Sequence, residues 1–293
     1  ACGLVDDHLG RRRSAPGGGA MTVEAIRVSP GWLDLREAAD ASARAGELVG
    51  QLARRAPAEG TWLIHDLACG SGAMGRWLAP LLSGPQRWIL HDRDADLLAL
   101  AAAAVPGPAA DGAEVAVETH LSDVTRLGAG DFAGASLVTA SALLDLLTWD
   151  ELSRLIRACA DAGAPVLFVL SVTGRVQLLP ADPLDARVAA AFDAHQRRQT
   201  PRGRLLGPDA VEAAVEGFRR LGAEVVVRPS PWRLGAAESE LLVEWLTGWV
   251  DAACEQQPEL ALDAELYRRR RLREAASGVL AVTVGHADLL VLP

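Results

Sequence analysis

Asp66, Ala68, Gly70 and Gly72 stand two residues apart, after an apolar run from Trp62 to Ile64 and before a helical pattern carrying Met74, Trp77 and Leu78. A strand, a turn of small residues and then a helix is the opening unit of a nucleotide-binding α/β sheet. The glycines let the backbone approach a ligand closely, and the helix start offers free N–H groups at its positive end. The spacing fits two registers. Gly70, Gly72 and Gly75 satisfy G-x-G-x-x-G, the dinucleotide pattern, with Asp92 about where its ribose-binding acid belongs. The other register reads acid, x, small, x, Gly, x, Gly, and makes Asp66 part of the motif.

Composition removes several chemistries. All 29 basic residues are Arg, and neither Lys nor Asn occurs. Without Lys there is no Schiff-base chemistry and no P-loop lysine. A formal charge of −9 without a concentrated basic face argues against a nucleic-acid partner. The four cysteines, Cys2, Cys69, Cys159 and Cys254, form no C-x-x-C pair and read as reduced thiols. No apolar run reaches membrane-spanning length and no signal-peptide core is visible, so a cytoplasmic protein without a membrane partner is expected. His65, His91 and His120 each fall near a strand end. The alternation of side chains puts His65 and His91 under the sheet, on the face opposite Asp66 and Asp92, and no metal site is expected there.

The elements that position these residues follow from pattern and punctuation. Residues 1–20 read as a disordered tail, with Met21 as a natural start. Residues 21–60 form a helical cap: Ser29-Pro30 starts a helix running to Arg55, and Arg36, Asp40 and Arg44 fall on one face, where the simplest reading is a solvated ion-pair ladder. Strands are expected at Gln86–Asp92, Glu114–Thr119, Ser136–Ala142, Pro165–Ser171 and Glu224–Arg228. Thr148 and Glu151 make a capping box for a helix from Trp149 to Ala162. Residues 172–206 read as an inserted lid carrying Arg175, His195 and Arg198, and residues 237–277 as a second, helical insertion within about 235–277. Its Arg268–Arg271 run reads as a solvated helix face. The chain ends with Val279–Val284, a turn at Gly285-His286, and Asp288–Leu292.

In its second register the glycine segment resembles motif I of the class I S-adenosylmethionine (SAM) dependent methyltransferases, whose common wording is D-L-G-C-G-T-G. Asp66 ends the strand and Cys69 sits between the small residues, as in that motif, while Ala68 replaces the usual first glycine. The resemblance covers residues 61–171 plainly and the rest more loosely. It implies an α/β, Rossmann-like, mostly parallel seven-stranded sheet whose antiparallel last strand inserts beside the fifth, with residues 61–293 as the SAM-binding domain. It implies cofactor contacts from Asp66, Ala68, Gly70 and Gly72, from Asp92 to the ribose hydroxyls with Arg93 beside it, from Asp123 and Val124 to the adenine, and from Ser141. Asp145, at the exit of the fourth strand, and His195 are candidate bases. Arg36, Arg175 and Arg198 could hold an anionic group on the acceptor, under a cap helix of the kind that covers the site in the small-molecule members. The function implied is SAM-dependent methyl transfer to oxygen or carbon of a small-molecule acceptor, with S-adenosylhomocysteine (SAH) as product and a homodimer as an open option. Two alternatives stay open: a nicotinamide-dependent oxidoreductase using the same turn, and a SAM-binding protein without catalysis.

Overall fold

The computed structural model describes residues 28–57, 60–104 and 106–293, so the expected tail at 1–20 and the start of the cap at 21–27 lie outside the described residues. Its centre is a sheet of eight strands. In chain order these are β1 (Trp62–Leu67), β2 (Gln86–Asp92), β3 (Val115–Leu121), β4 (Leu137–Ser141), β5 (Val166–Leu179), β8 (Glu224–Pro229), β9 (Trp232–Leu234) and β10 (Ala281–Leu292), with a two-stranded hairpin of β6 (Gln199–Thr200) and β7 (Gly203–Arg204) apart from it. The order across the sheet is β3-β2-β1-β4-β5-β10-β8, and β9 pairs with β10. β1 to β5 are mutually parallel, and β10 runs antiparallel between β5 and β8. This is the topology that the resemblance implied, with β9 as one additional strand.

The helices are α1 (Pro30–Ala43), α2 (Gly46–Ala53), α3 (Ala73–Leu78), α4 (Ala95–Ala103), α5 (Trp149–Ala162), α6 (Asp185–Gln196), α7 (Ala210–Arg220), α8 (Ser239–Gln256) and α9 (Ala261–Ala276). One face of the sheet buries Phe168 against Ile156 of α5 and Phe218 of α7, and the other buries Leu90 and Leu290 among Leu48, Leu52 and Leu78 of α2 and α3. A third core joins α1, α6, α8 and α9 to the far ends of β5 and β10, built on Trp32, Trp232, Trp245, Trp249 and Tyr267. Local signals hold where they are self-contained. Thr148 Oγ1 accepts from the Glu151 N–H at 3.3 Å, Glu151 Oε2 accepts from the Thr148 N–H at 2.9 Å, and α5 has the expected ends.

Four expectations are corrected. The Ser29–Arg55 helix is broken into α1 and α2 at Arg44-Ala45, because the Ala45 N–H leaves the helical ladder to donate to Asp288 Oδ2 at 2.7 Å. Residues 172–179 are strand: β5 continues to Leu179, paired with Ala281–Val284 of β10. The Gly285-His286 turn does not form, and the last segment is one strand with irregularities at 284/286 and 287/289. Arg271 is buried, donating to Asp185, Glu274 Oε2 and the Pro180 carbonyl, so the arginine run is only in part a solvated face.

Candidate functional site

The carboxyl ends of β1 to β4 open into a cavity of about 420 Å³, roofed by α1 and lined from the β4 side by the segment after Ser141. The strand order reverses direction between β1 and β4, and open α/β sheets bind ligands outside the strand ends at such a point. The glycine turn forms its floor. Gly70 and Gly72 take φ of +56° and +84°, and a Cβ on Gly70 would lie 3.1 Å from Leu33 of α1. Gly75 serves packing instead, since a Cβ there would stand 3.0 Å from Pro106 and 3.7 Å from Trp88. Ala68 adopts φ +50°, the left-handed backbone for which the common motif carries glycine.

Two carboxylates flank the turn. Asp92 Oδ2 accepts from the Gly70 N–H at 2.9 Å and Oδ1 from the Asp94 N–H at 3.0 Å. Each oxygen keeps a second acceptor site. Asp66 is fully buried, and its Oδ1 accepts from Thr139 Oγ1 at 2.7 Å. Its Oδ2 has no hydrogen-bond partner among the described residues. Burial pushes its pKa up to about 7, against the opposing influence of Thr139 and Arg44.

Arg44 is the residue that sequence reasoning missed. It ends the charged face of α1, which is turned inward: Trp32, Arg36, Asp40 and Arg44 are all at most 6% exposed. Arg44 donates to Ser141 Oγ at 3.2 Å and to the Ala73 carbonyl at 3.4 Å, with its guanidinium 5.1 Å from the Trp77 ring centre, and its Nε has no partner among the described residues. Burial lowers its pKa, countered by Asp40, Asp66 and Asp288. The signal was present in the sequence, since a tryptophan shares the four-residue spacing of the three charges. The neighbouring stripe, Leu35, Ala39 and Ala43, is mostly small.

Asp66, Ala68, Gly70, Asp92, Arg93, Asp123, Val124, Ser141 and Arg36 all line the cavity. Asp123 also caps the turn that follows it, accepting from the Thr125 N–H and hydroxyl. Gly72, Asp145, His195, Arg175 and Arg198 are not among the lining residues. Asp145 is buried, with Oδ1 unpaired among the described residues and its pKa raised by burial. His195 faces Glu255 of α8 at 3.2 Å. Arg175 borders a separate small cleft near His286, and Arg198 donates to the His195 carbonyl. The part of the 172–206 segment that reaches the cavity is its end, through Arg202 and Leu205.

Beneath the sheet, His65 and His91 meet as alternation requires. Nδ1 of His65 lies 3.0 Å from Nε2 of His91, and Nδ1 of His91 lies 3.0 Å from Ser122 Oγ, a cavity-lining residue. Among the described residues no group of three or more His, Cys, Asp or Glu is arranged to hold a metal ion, and no helix is long and apolar enough to cross a membrane.

No protein-family model and no curated protein matches the chain. Its fold is similar to solved structures of SAM-dependent methyltransferases. One from Geobacter sulfurreducens, in complex with SAH, is 15% identical over 90% of this chain and 98% of that one, with a TM-score of 0.43. Another from Thiobacillus denitrificans, also with SAH, is 15% identical over 91% and 99%, with a TM-score of 0.43. A cyclopropane synthase from Mycobacterium tuberculosis is 13% identical over 84% and 83%, again with a TM-score of 0.43. At these values the likeness assigns no activity to this chain, whose site has to be read from its own geometry.

Proposed function

We propose that the chain is a class I SAM-dependent methyltransferase acting on a small-molecule acceptor, at oxygen or carbon. The observation that carries this reading is a pair of oppositely charged buried residues on one cavity, Asp66 and Arg44, with Asp66 Oδ2 and Arg44 Nε unpaired among the described residues. An acceptor and a donor of opposite charge suit the ammonium and carboxylate of an amino acid, which a nicotinamide dinucleotide does not have. Asp92, across the glycine turn, retains acceptor capacity on both oxygens for a vicinal diol. Together these match the two ends of an adenosyl amino acid, with Asp123 and Val124 left for its base.

SAM supplies a methyl group already activated on sulfonium sulfur, so the protein's task is alignment and exclusion of water. The chain's residues are disposed for that. Arg76 of α3 donates to Glu37 of α1 at 2.8 and 2.6 Å and to the Ser71 carbonyl at 2.6 Å, tying the roof to the glycine turn. Asp145 and His195 do not line the cavity, and Asp40, which does, has both oxygens engaged by Arg36 and Trp232. The reading therefore assigns the protein binding and orientation: an oxygen lone pair or electron-rich carbon of the acceptor bonds the methyl group as its bond to the sulfonium sulfur breaks, and the proton displaced from the acceptor leaves to solvent.

Calorimetric titration with SAH, SAM and NADH, repeated on Asp92→Ala, tests this. Binding of the two adenosyl sulfur ligands alone is expected, weakened at least about tenfold (~1.4 kcal/mol) in the variant. Binding of NADH, or of none of the three, would overturn the reading.

A further inference from the structure

Apart from the residues assigned to the cofactor, among them Arg44 and Arg93, the cavity wall holds Trp32, Leu33, Leu146 and Leu205, together with two arginines, Arg36 and Arg202. Neither arginine presents an uncompensated charge. Arg36 donates from Nε to Asp40 Oδ2 at 2.9 Å and from a terminal nitrogen to Oδ1 at 3.1 Å, both side chains being buried. Trp232 Nε1 donates to the same Asp40 at 2.9 Å, and the guanidinium carbon of Arg36 lies 5.1 Å from the Trp232 ring centre and 6.0 Å from that of Trp32. Arg202 donates to Glu151 Oε1 at 2.6 Å and to the Leu146 carbonyl at 3.3 Å. The Glu151 side chain is 6% exposed and is itself fixed by the Thr148 N–H.

A carboxylate or phosphate arriving at this wall would lose its water and find both cations already held by buried carboxylates. Desolvating a charge without a free partner costs several kcal/mol. A neutral apolar molecule meets leucine and tryptophan surface with no such cost. We propose, on the basis of the methyltransferase reading above, that the acceptor is a neutral and predominantly apolar small molecule. Asp40 and Glu151 then act as specificity-determining residues that cancel the two cations of the wall. Arg36, read from sequence as a holder of an acceptor anion, contributes its stacked apolar face and a neutralised charge.

The test uses the SAH-loaded protein at pH 7, titrated with 1-naphthol and 1-naphthoate, in the native chain and in Glu151→Gln. Glutamine keeps an oxygen that can accept from the Thr148 N–H while removing the charge that neutralises Arg202. The native chain is expected to bind naphthol at least about tenfold more tightly than naphthoate. In Glu151→Gln the ratio of the two affinities shifts toward naphthoate by at least about fivefold. Equal or tighter naphthoate binding by the native chain, no binding of either compound, or an unshifted ratio in the variant would each overturn the proposal. The native-chain comparison stands alone if the variant does not fold. The SAH titration that precedes each measurement reports on the cofactor reading separately: failed SAH binding removes both, whereas SAH binding with the wrong acceptor preference removes only this one.

Discussion

In the proposed reading Asp66 meets an ammonium group, and the apo protein holds it in the wrong state for that role. Burial raises its pKa to about 7, so near neutral pH it is partly protonated, whereas an ammonium ligand needs the carboxylate. Binding must then release a proton at lower pH, and affinity for SAH is expected to fall as pH drops below 7, approaching about tenfold per pH unit. Asp66→Asn removes that dependence along with much of the affinity, and calorimetry across pH 5 to 8 measures both. A flat profile in the native chain would place the ammonium elsewhere. The sign for folding is the opposite. A raised pKa contributes stability that is present below about 3.8 and lost between there and about 7, so apo Asp66→Asn should gain on the native chain across that interval and keep the gain above it.

At the scale of elements, Asp288 of β10 determines where the roof sits. Its Oδ1 accepts from the Leu170 N–H, at 2.7 Å, and from Ser230 Oγ, while its Oδ2 takes the Ala45 N–H where α1 meets α2. One buried carboxylate thus joins β5, the β8–β9 corner and the cap. Asp288→Asn leaves a buried N–H facing an amide NH2, at a cost of about 1–3 kcal/mol. It should also weaken SAH binding without touching the cavity, because Arg44 adjoins the released corner. Urea unfolding paired with calorimetry checks this, and a loss of stability with unchanged affinity would confine Asp288 to a folding role.

The histidines of β1 and β2 make a second argument at the same scale. Burial and the neighbouring histidines lower the pKa of His91 to about 4, and burial lowers that of His65. A histidine held neutral in the fold but protonated when unfolded destabilises the fold as pH falls below about 6.5. Stability of the native chain is therefore expected to lose more than that of His91→Gln between pH 6.5 and 4, as read by urea midpoints. Parallel curves for the two proteins would contradict the hydrogen-bonded neutral pair.

Over the whole molecule, the eight-stranded sheet and the helical layer hold separate cores, joined through α1, β5 and β10. Trp32 belongs to the helical core through its packing with Trp232 and also lines the cavity. The far side of that layer is fastened by Arg271, which is 1% exposed and pairs with Asp185, to which the Tyr267 hydroxyl also donates at 2.7 Å. Arg271→Ala strands a carboxylate against a packed face and should cost about 3 kcal/mol, seen as a lowered thermal midpoint. SAH affinity at a temperature where the variant is folded should change little, since α9 does not reach the cavity. A large affinity loss would mean that the layer and the site fold as one unit.

The glycine turn, Asp92, the capping box at Thr148 and the parallel core were legible in the chain itself, because each is specified by neighbours a few residues away. Backbone φ, strand alternation and helix caps are local physics, and so is the face opposite Asp66 on which His65 and His91 meet. Tertiary structure decided the rest. Whether the Arg36–Asp40–Arg44 face met water or the cavity depended on what packed over α1, and β9 and α8 supplied that cover. The break at Ala45 depended on Asp288, some 243 residues away in the chain. The placing of Asp145 and His195 outside the cavity lining, and the reach of Arg202 and Leu205 into it, followed from how β5 extends and how the 172–206 segment returns. Side chains four apart declare that they share a face, but only long-range packing determines what that face meets.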